Sequence, residues 1–170
     1  MKKELAIACG AATVFVSGCA TVASPELVEC LQPNRRVVVE VGGIKPKPPA
    51  KPEGKPGSQP VQLSALAQGN HAWDFGSAVL KEGGKEELNR LVKIISSGAG
   101  KDKRPTTVGS VIITGHTDRL ETAQGMDRLA EQRAVAVRDY LVSQGIDSKL
   151  MFWEGKGSKE PVPVTKFCEG

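Results

Sequence analysis

The 170 residues carry 23 Lys and Arg against 19 Asp and Glu, a formal charge of +4, and only 4% are aromatic. That length allows one ordinary domain with a tail or linker, and the scarcity of aromatics leaves a core of Val, Ile, Leu and Ala. The positive excess is not gathered into a basic run interleaved with aromatics, so it speaks for solubility and not for nucleic-acid binding.

Residues 1–18 place Lys2 and Lys3 ahead of an apolar run over 5–16 and then small residues. This is a secretory signal, with an apolar part too short to span a bilayer as a stable anchor. It ends Val16-Ser17-Gly18-Cys19, which resembles a bacterial lipobox. That resemblance implies cleavage before Cys19 and acylation of the new N-terminus, several chains giving durable anchorage. Ala20 after the Cys is compatible with transfer to the outer membrane. The plainer reading is an ordinary signal with an incidental Cys. With Cys9 in the signal and Cys19 lipidated, Cys30 and Cys168 remain. An exported compartment permits a disulfide between them; two small buried thiols are the alternative.

Ser24-Pro25-Glu26 supplies a capping Ser, a Pro at the first helical position and an acid in the first turn, and Pro33-Asn34 stops the helix near Gln32. Residues 35–41, RRVVVEV, read as a strand that Gly42-Gly43 ends. Residues 44–60, rich in Pro and Lys, read as an extended connector. Residues 71–79, HAWDFGSAV, read as an edge strand with Trp73 and Phe75 on one face and Asp74 on the other, Trp73 serving the core. Leu88, Leu91, Val92 and Ile95 stand at helical spacing and form a packing stripe.

Residues 108–114 give the central strand, which breaks at Gly115 to present His116, Thr117 and Asp118. A loop leads to a helix with Leu129, Ala134, Val137 and Leu141 inward, ending at Gly145, and Arg133 lies at the edge of that stripe. Residues 149–154 are the third major strand, followed by the loop with GKGS and Pro161. The strand–loop–helix order sets Asp118 and Arg133 on either side of a strand-end cleft. An acid facing a base suits a small zwitterion, with Arg forking a carboxylate and Asp accepting from an ammonium. Taken singly, Asp118 would be a turn cap and Arg133 a snorkelling surface residue. His116, Asp118 and Glu121 lack a paired nucleophile and a metal-ligand spacing, so no catalytic residue, metal or cofactor is expected.

GHTD followed by LAEQRA resembles the signature of the OmpA-like C-terminal domain, the peptidoglycan-binding module shared by OmpA, Pal and MotB types. In type and separation its Asp and Arg match Asp118 and Arg133. ECLQPNRRVVVEV resembles the last helix and strand of that domain, here lying in front of the first strand, and TKFCEG resembles the point at which an ordinary member would continue into them. The resemblance implies an α+β fold of βαβαβ type, helices on a mixed four-stranded sheet, with the last helix and strand circularly permuted to the N-terminus; an extra copy beside a truncated domain is the alternative. The divisions are then a signal over 1–18, a tether over 19–23, the permuted helix and strand over 24–43, a linker over 44–62 and the rest of the domain over 63–170.

The same resemblance implies a Cys30–Cys168 disulfide. It implies that Arg133 holds a carboxylate of the diaminopimelate in the peptidoglycan stem peptide and Asp118 its amino group, with Thr117 and loop amides assisting and Asp74 bordering the cleft. Three departures stand out: Glu121 where members carry Gly, Met126 where Asn is common, and Ala130 where Ser is usual. Glu121 adds negative charge beside the carboxylate site and Met126 removes a polar side chain. The expectation is an outer-membrane lipoprotein on the periplasmic face, without enzymatic activity, that tethers the membrane to the wall non-covalently and has envelope proteins as further partners. The alternative is an envelope scaffold with a drifted loop and weak or no wall binding.

Overall fold

The computed structural model describes residues 24–46, 58–98, 103–126 and 128–164; Cys19 and Cys168 lie outside them. Helix α1 (Pro25–Cys30) starts as its sequence dictates, with the Ser24 hydroxyl accepting from the amide of Leu27 and Pro25 in the first turn. A 3-10 turn over Gln32–Asn34 then delivers the chain to strand β1 (Arg36–Pro46).

Strand β1 is central. The sheet order is β2-β1-β3-β4, where β2 is Ser58–Gln68, β3 is Thr107–His116 and β4 is Met151–Gly157. β1 runs antiparallel to both neighbours and β3 runs parallel to β4. Period-2 alternation sends Val37, Val39 and Val41 inward, alongside Val111 and Ile113 of β3. Two long helices cover that face: α3 (Glu82–Ser97) buries Leu88, Leu91 and Ile95, and α5 (Leu129–Ser143) buries Ala134, Val137 and Leu141. The Tyr140 hydroxyl donates to Asn89, joining the two helices. Short helices α2 (Gly69–Ala72) and α4 (Arg119–Ala123) and a 3-10 turn over Ser148–Leu150 are the remaining helical elements among the described residues. On the opposite face Leu66, Ile112 and Phe152 are exposed.

The expected α+β architecture with a mixed four-stranded sheet is present. Several local expectations need correction. Gly42-Gly43 does not end β1; the strand continues to Pro46 through an irregularity in its pairing with β3. The missing Cβ of Gly43 admits the Thr107 carbonyl, so the glycines allow a bulge and not a stop. Both strands therefore enter the Pro- and Lys-rich stretch of 44–62, of which residues 47–57 lie outside the described residues.

The expected strand at 71–79 is absent. The strand lies earlier, as β2, where Leu63, Ala65 and Ala67 alternate toward the core. Gly69, at φ 64°, turns the chain out of β2, and residues 73–81 form a loop. Gly115 likewise does not break β3. It is the floor on which α5 rests, because a Cβ there would overlap the Ala130 carbonyl oxygen. Gly155, its partner across β4, lies under the Glu131 amide in the same way. Two facing glycines thus let the first turn of α5 sit directly on the sheet and bring Arg133 to the strand end.

Candidate functional site

Asp118 and Arg133 do converge on one site, but they do not flank an open cleft. Both are fully buried, as are Arg35 and Glu121. The four side chains form two ion pairs whose formal charges cancel. Arg133 holds Glu121 bidentately, Nη1 to Oε2 at 2.8 Å and Nη2 to Oε1 at 2.6 Å. Arg35 donates Nη1 to Asp118 Oδ2 at 2.9 Å. Arg133 thus holds a carboxylate in its fork and Asp118 a cation, both supplied by the chain itself.

A capping box joins the two pairs. Asp118 Oδ1 accepts from the amides of Leu120 and Glu121, each at 2.9 Å, and Glu121 Oε2 accepts in return from the Asp118 amide at 3.2 Å. Asp118 is therefore an N-cap as well as an ion-pair partner. Glu121, expected to add charge beside Arg133, is paired with it directly.

The loop after α2 closes over the site. Arg133 donates Nε to the Ser77 carbonyl at 2.9 Å and Nη2 to the Asp74 carbonyl at 3.2 Å, while the Gly76 amide donates to Glu121 Oε1 at 2.9 Å. The Arg133 guanidinium lies 5.6 Å from the centre of the Trp73 ring, and Arg35 lies 5.9 Å from that of Phe75. Trp73 is a core residue, as expected, with Nε1 donating to the Ala67 carbonyl. The Asp74 side chain points outward to Lys81, so only its carbonyl serves the site. Thr117 is buried, donates its amide to the Gly157 carbonyl and shares a hydroxyl contact with Thr122. Met126 packs its methyl near Gly76, and Ala130 is pressed against Gly115.

Arg35 and the role of Glu121 escaped the sequence reading. Asp-x-x-Glu ahead of a short helix is a capping-box pattern and could have flagged Glu121. Nothing local links Arg35 to an acid 83 residues later.

The outer side of the strand end carries a second polar cluster. His116 is buried with Nδ1 unpartnered among the described residues, and Arg36 Nη1 is likewise unmatched while its Nη2 donates to the Glu160 carbonyl. Burial, and then Arg36, push the imidazole down to about 4. Among the described residues no group of His, Cys, Asp and Glu side chains could hold a metal ion.

Comparison with known proteins fits this frame. A family profile described as the OmpA family matches residues 72–167. Outer membrane protein A of Bordetella avium is 30% identical over 120 residues, which is 71% of this chain and 57% of that protein. The proteins of the same name from Klebsiella aerogenes and Serratia marcescens are 36% and 38% identical over 90 residues, 53% of this chain but only 24% and 23% of theirs. The chain thus spans little over half of the first relative and about a quarter of the other two. With more than half its length under the family profile, the chain belongs to the OmpA family.

Proposed function

We propose that this protein is an outer-membrane lipoprotein that binds peptidoglycan non-covalently through the diaminopimelate of the stem peptide. One observation carries the reading: the buried site already holds a carboxylate on Arg133 and a guanidinium on Asp118. A zwitterion with an acid and an amine at the right separation would satisfy both residues in the same way. Arg133 takes the carboxylate and Asp118 the ammonium. Thr117 and Arg119 flank Asp118 and border a cavity of about 270 Å³ with Leu31, Asn34 and Ser158.

Anchorage is assigned to Cys19. The permuted order is supported by the central position of β1, since the sheet depends on a strand outside the matched region 72–167. Cys30 is disulfide-bonded, which supports a bridge to Cys168.

The test is co-sedimentation with purified peptidoglycan. Wild type should pellet, weakly because the site is internally filled, and folded Asp118→Asn and Arg133→Lys variants should stay in solution. Equal pelleting of all three would refute the assignment. The bidentate Glu121–Arg133 pair favours a second reading, an envelope scaffold that has lost wall binding. On that reading wild type does not pellet either.

A further inference from the structure

We propose that Glu121 sets the affinity and selectivity of this site, acting as an internal carboxylate that any ligand's acid group must displace from Arg133. The inference rests on the wall-binding reading above. All three guanidinium nitrogens of Arg133 are committed: Nε to Ser77, Nη1 and Nη2 to the two oxygens of Glu121, with further donation to the carbonyls of His116 and Asp74. An incoming carboxylate finds no open donor until Glu121 leaves.

The local structure allows that departure. Helix α4 has five residues, and Glu121 is its buried one. Its bonds to the body are polar, Glu121 to Arg133 and the Gly76 amide and Asp118 to Arg35, and it buries no apolar side chain, the kind of segment that opens at low cost. Once the polar bonds exchange, Glu121 moves to water and the ligand's carboxylate takes over both Arg133 donors, so the guanidinium keeps a counter-charge before and after. Gly125, at φ 76° with open space around it, supplies a turn at the end of α4.

Selectivity follows from the tether. A covalently attached carboxylate competes at high effective concentration, so a simple acid cannot dislodge it. A ligand that also presents a cation to Asp118, displacing Arg35, gains a second ion pair and can. The chain thereby rejects isolated carboxylates and admits zwitterions.

The experiment follows thermal unfolding and ligand binding of the full chain and its Glu121→Ala variant, with acetate and diaminopimelate as probes and chloride at equal ionic strength as reference. The variant should be less stable than wild type and should regain stability with either acid, whereas acetate should not shift wild type. Diaminopimelate should bind the variant about tenfold or more tightly than wild type, since the tethered competitor is gone. No gain from either acid, or equal affinity in the two proteins, overturns the proposal. If the alanine variant does not fold, Glu121→Gln keeps the volume and one acceptor and carries the same expectation for diaminopimelate. Acid-dependent rescue without any binding to purified peptidoglycan would leave the role of Glu121 standing and remove the wall-binding reading. Equal pelleting of both proteins on peptidoglycan would do the reverse.

Discussion

Arg35 and Arg36 are neighbours in the chain and meet opposite fates. Arg35 falls on the helix side of the sheet, where Asp118 neutralises it and the Val28 carbonyl and Asn70 take further donors. Arg36, one residue on, belongs to the outer side, where it donates to the Glu160 carbonyl but keeps an unmatched nitrogen beside an unpartnered His116. The inner charges are compensated one for one; the outer ones are not. A single step of the pleat therefore separates two buried guanidiniums: Arg35 is neutralised by a direct ion pair although its Nε lacks a partner, whereas Arg36 sits beside a histidine that responds to pH.

The inner half of this contrast breaks most expensively. Replacing Arg133 or Asp118 by Ala leaves a buried counter-charge, and each change is expected to cost about 3–5 kcal/mol in urea unfolding. A loss under about 1 kcal/mol would mean that these pairs are screened like exposed ones. Next in size is Gly115→Ala, which pushes the first turn of α5 off β3 and is expected to cost about 1–3 kcal/mol. That variant should also loosen Arg133 without touching it, visible as faster hydrogen exchange in the first turns of α5.

The outer half is read through pH. His116 titrates near 6.5 when unfolded and at about 4 when folded, so between those values the unfolded chain binds the extra proton. The contribution is fully present above pH 6.5 and is lost as pH falls through the window to about 4. Denaturant midpoints at pH 7 and pH 5 should show this decline in wild type and a flatter response in His116→Gln. The smallest effect is expected at Asp74→Ala. Its exposed partner is Lys81, and only its carbonyl serves Arg133, so stability should change by no more than about 0.5 kcal/mol.

How much of this could be read from the sequence depends on distance along the chain. The cap at Ser24, the alternation of Val37, Val39 and Val41, and the stripes of α3 and α5 are local patterns, and each produced the element expected of it. Glycines misled twice in the same way, as strand ends that are not there. Gly43 and Gly115 look like punctuation, yet their structural reason is a close approach by Thr107 and Ala130, which no local pattern reveals. Pro60 hid β2, because a Pro at the exposed start of an edge strand reads like linker. For the site, Asp118 and Arg133 could be found as a pair from type and spacing. Their burial could not, because it depends on the Trp73–Ser77 loop folding over them and on Arg35 arriving from the other end of the domain.

A double-mutant cycle on Glu121 and Arg133 bears most directly on the claim that the chain fills its own carboxylate site. Urea unfolding of wild type, Glu121→Gln, Arg133→Met and the double variant should give a coupling of roughly 2 kcal/mol, with the double variant far less destabilised than the sum of the singles. Effects that add to within about 0.5 kcal/mol would contradict it, since they would show that Arg133 does not depend on Glu121 in the folded protein.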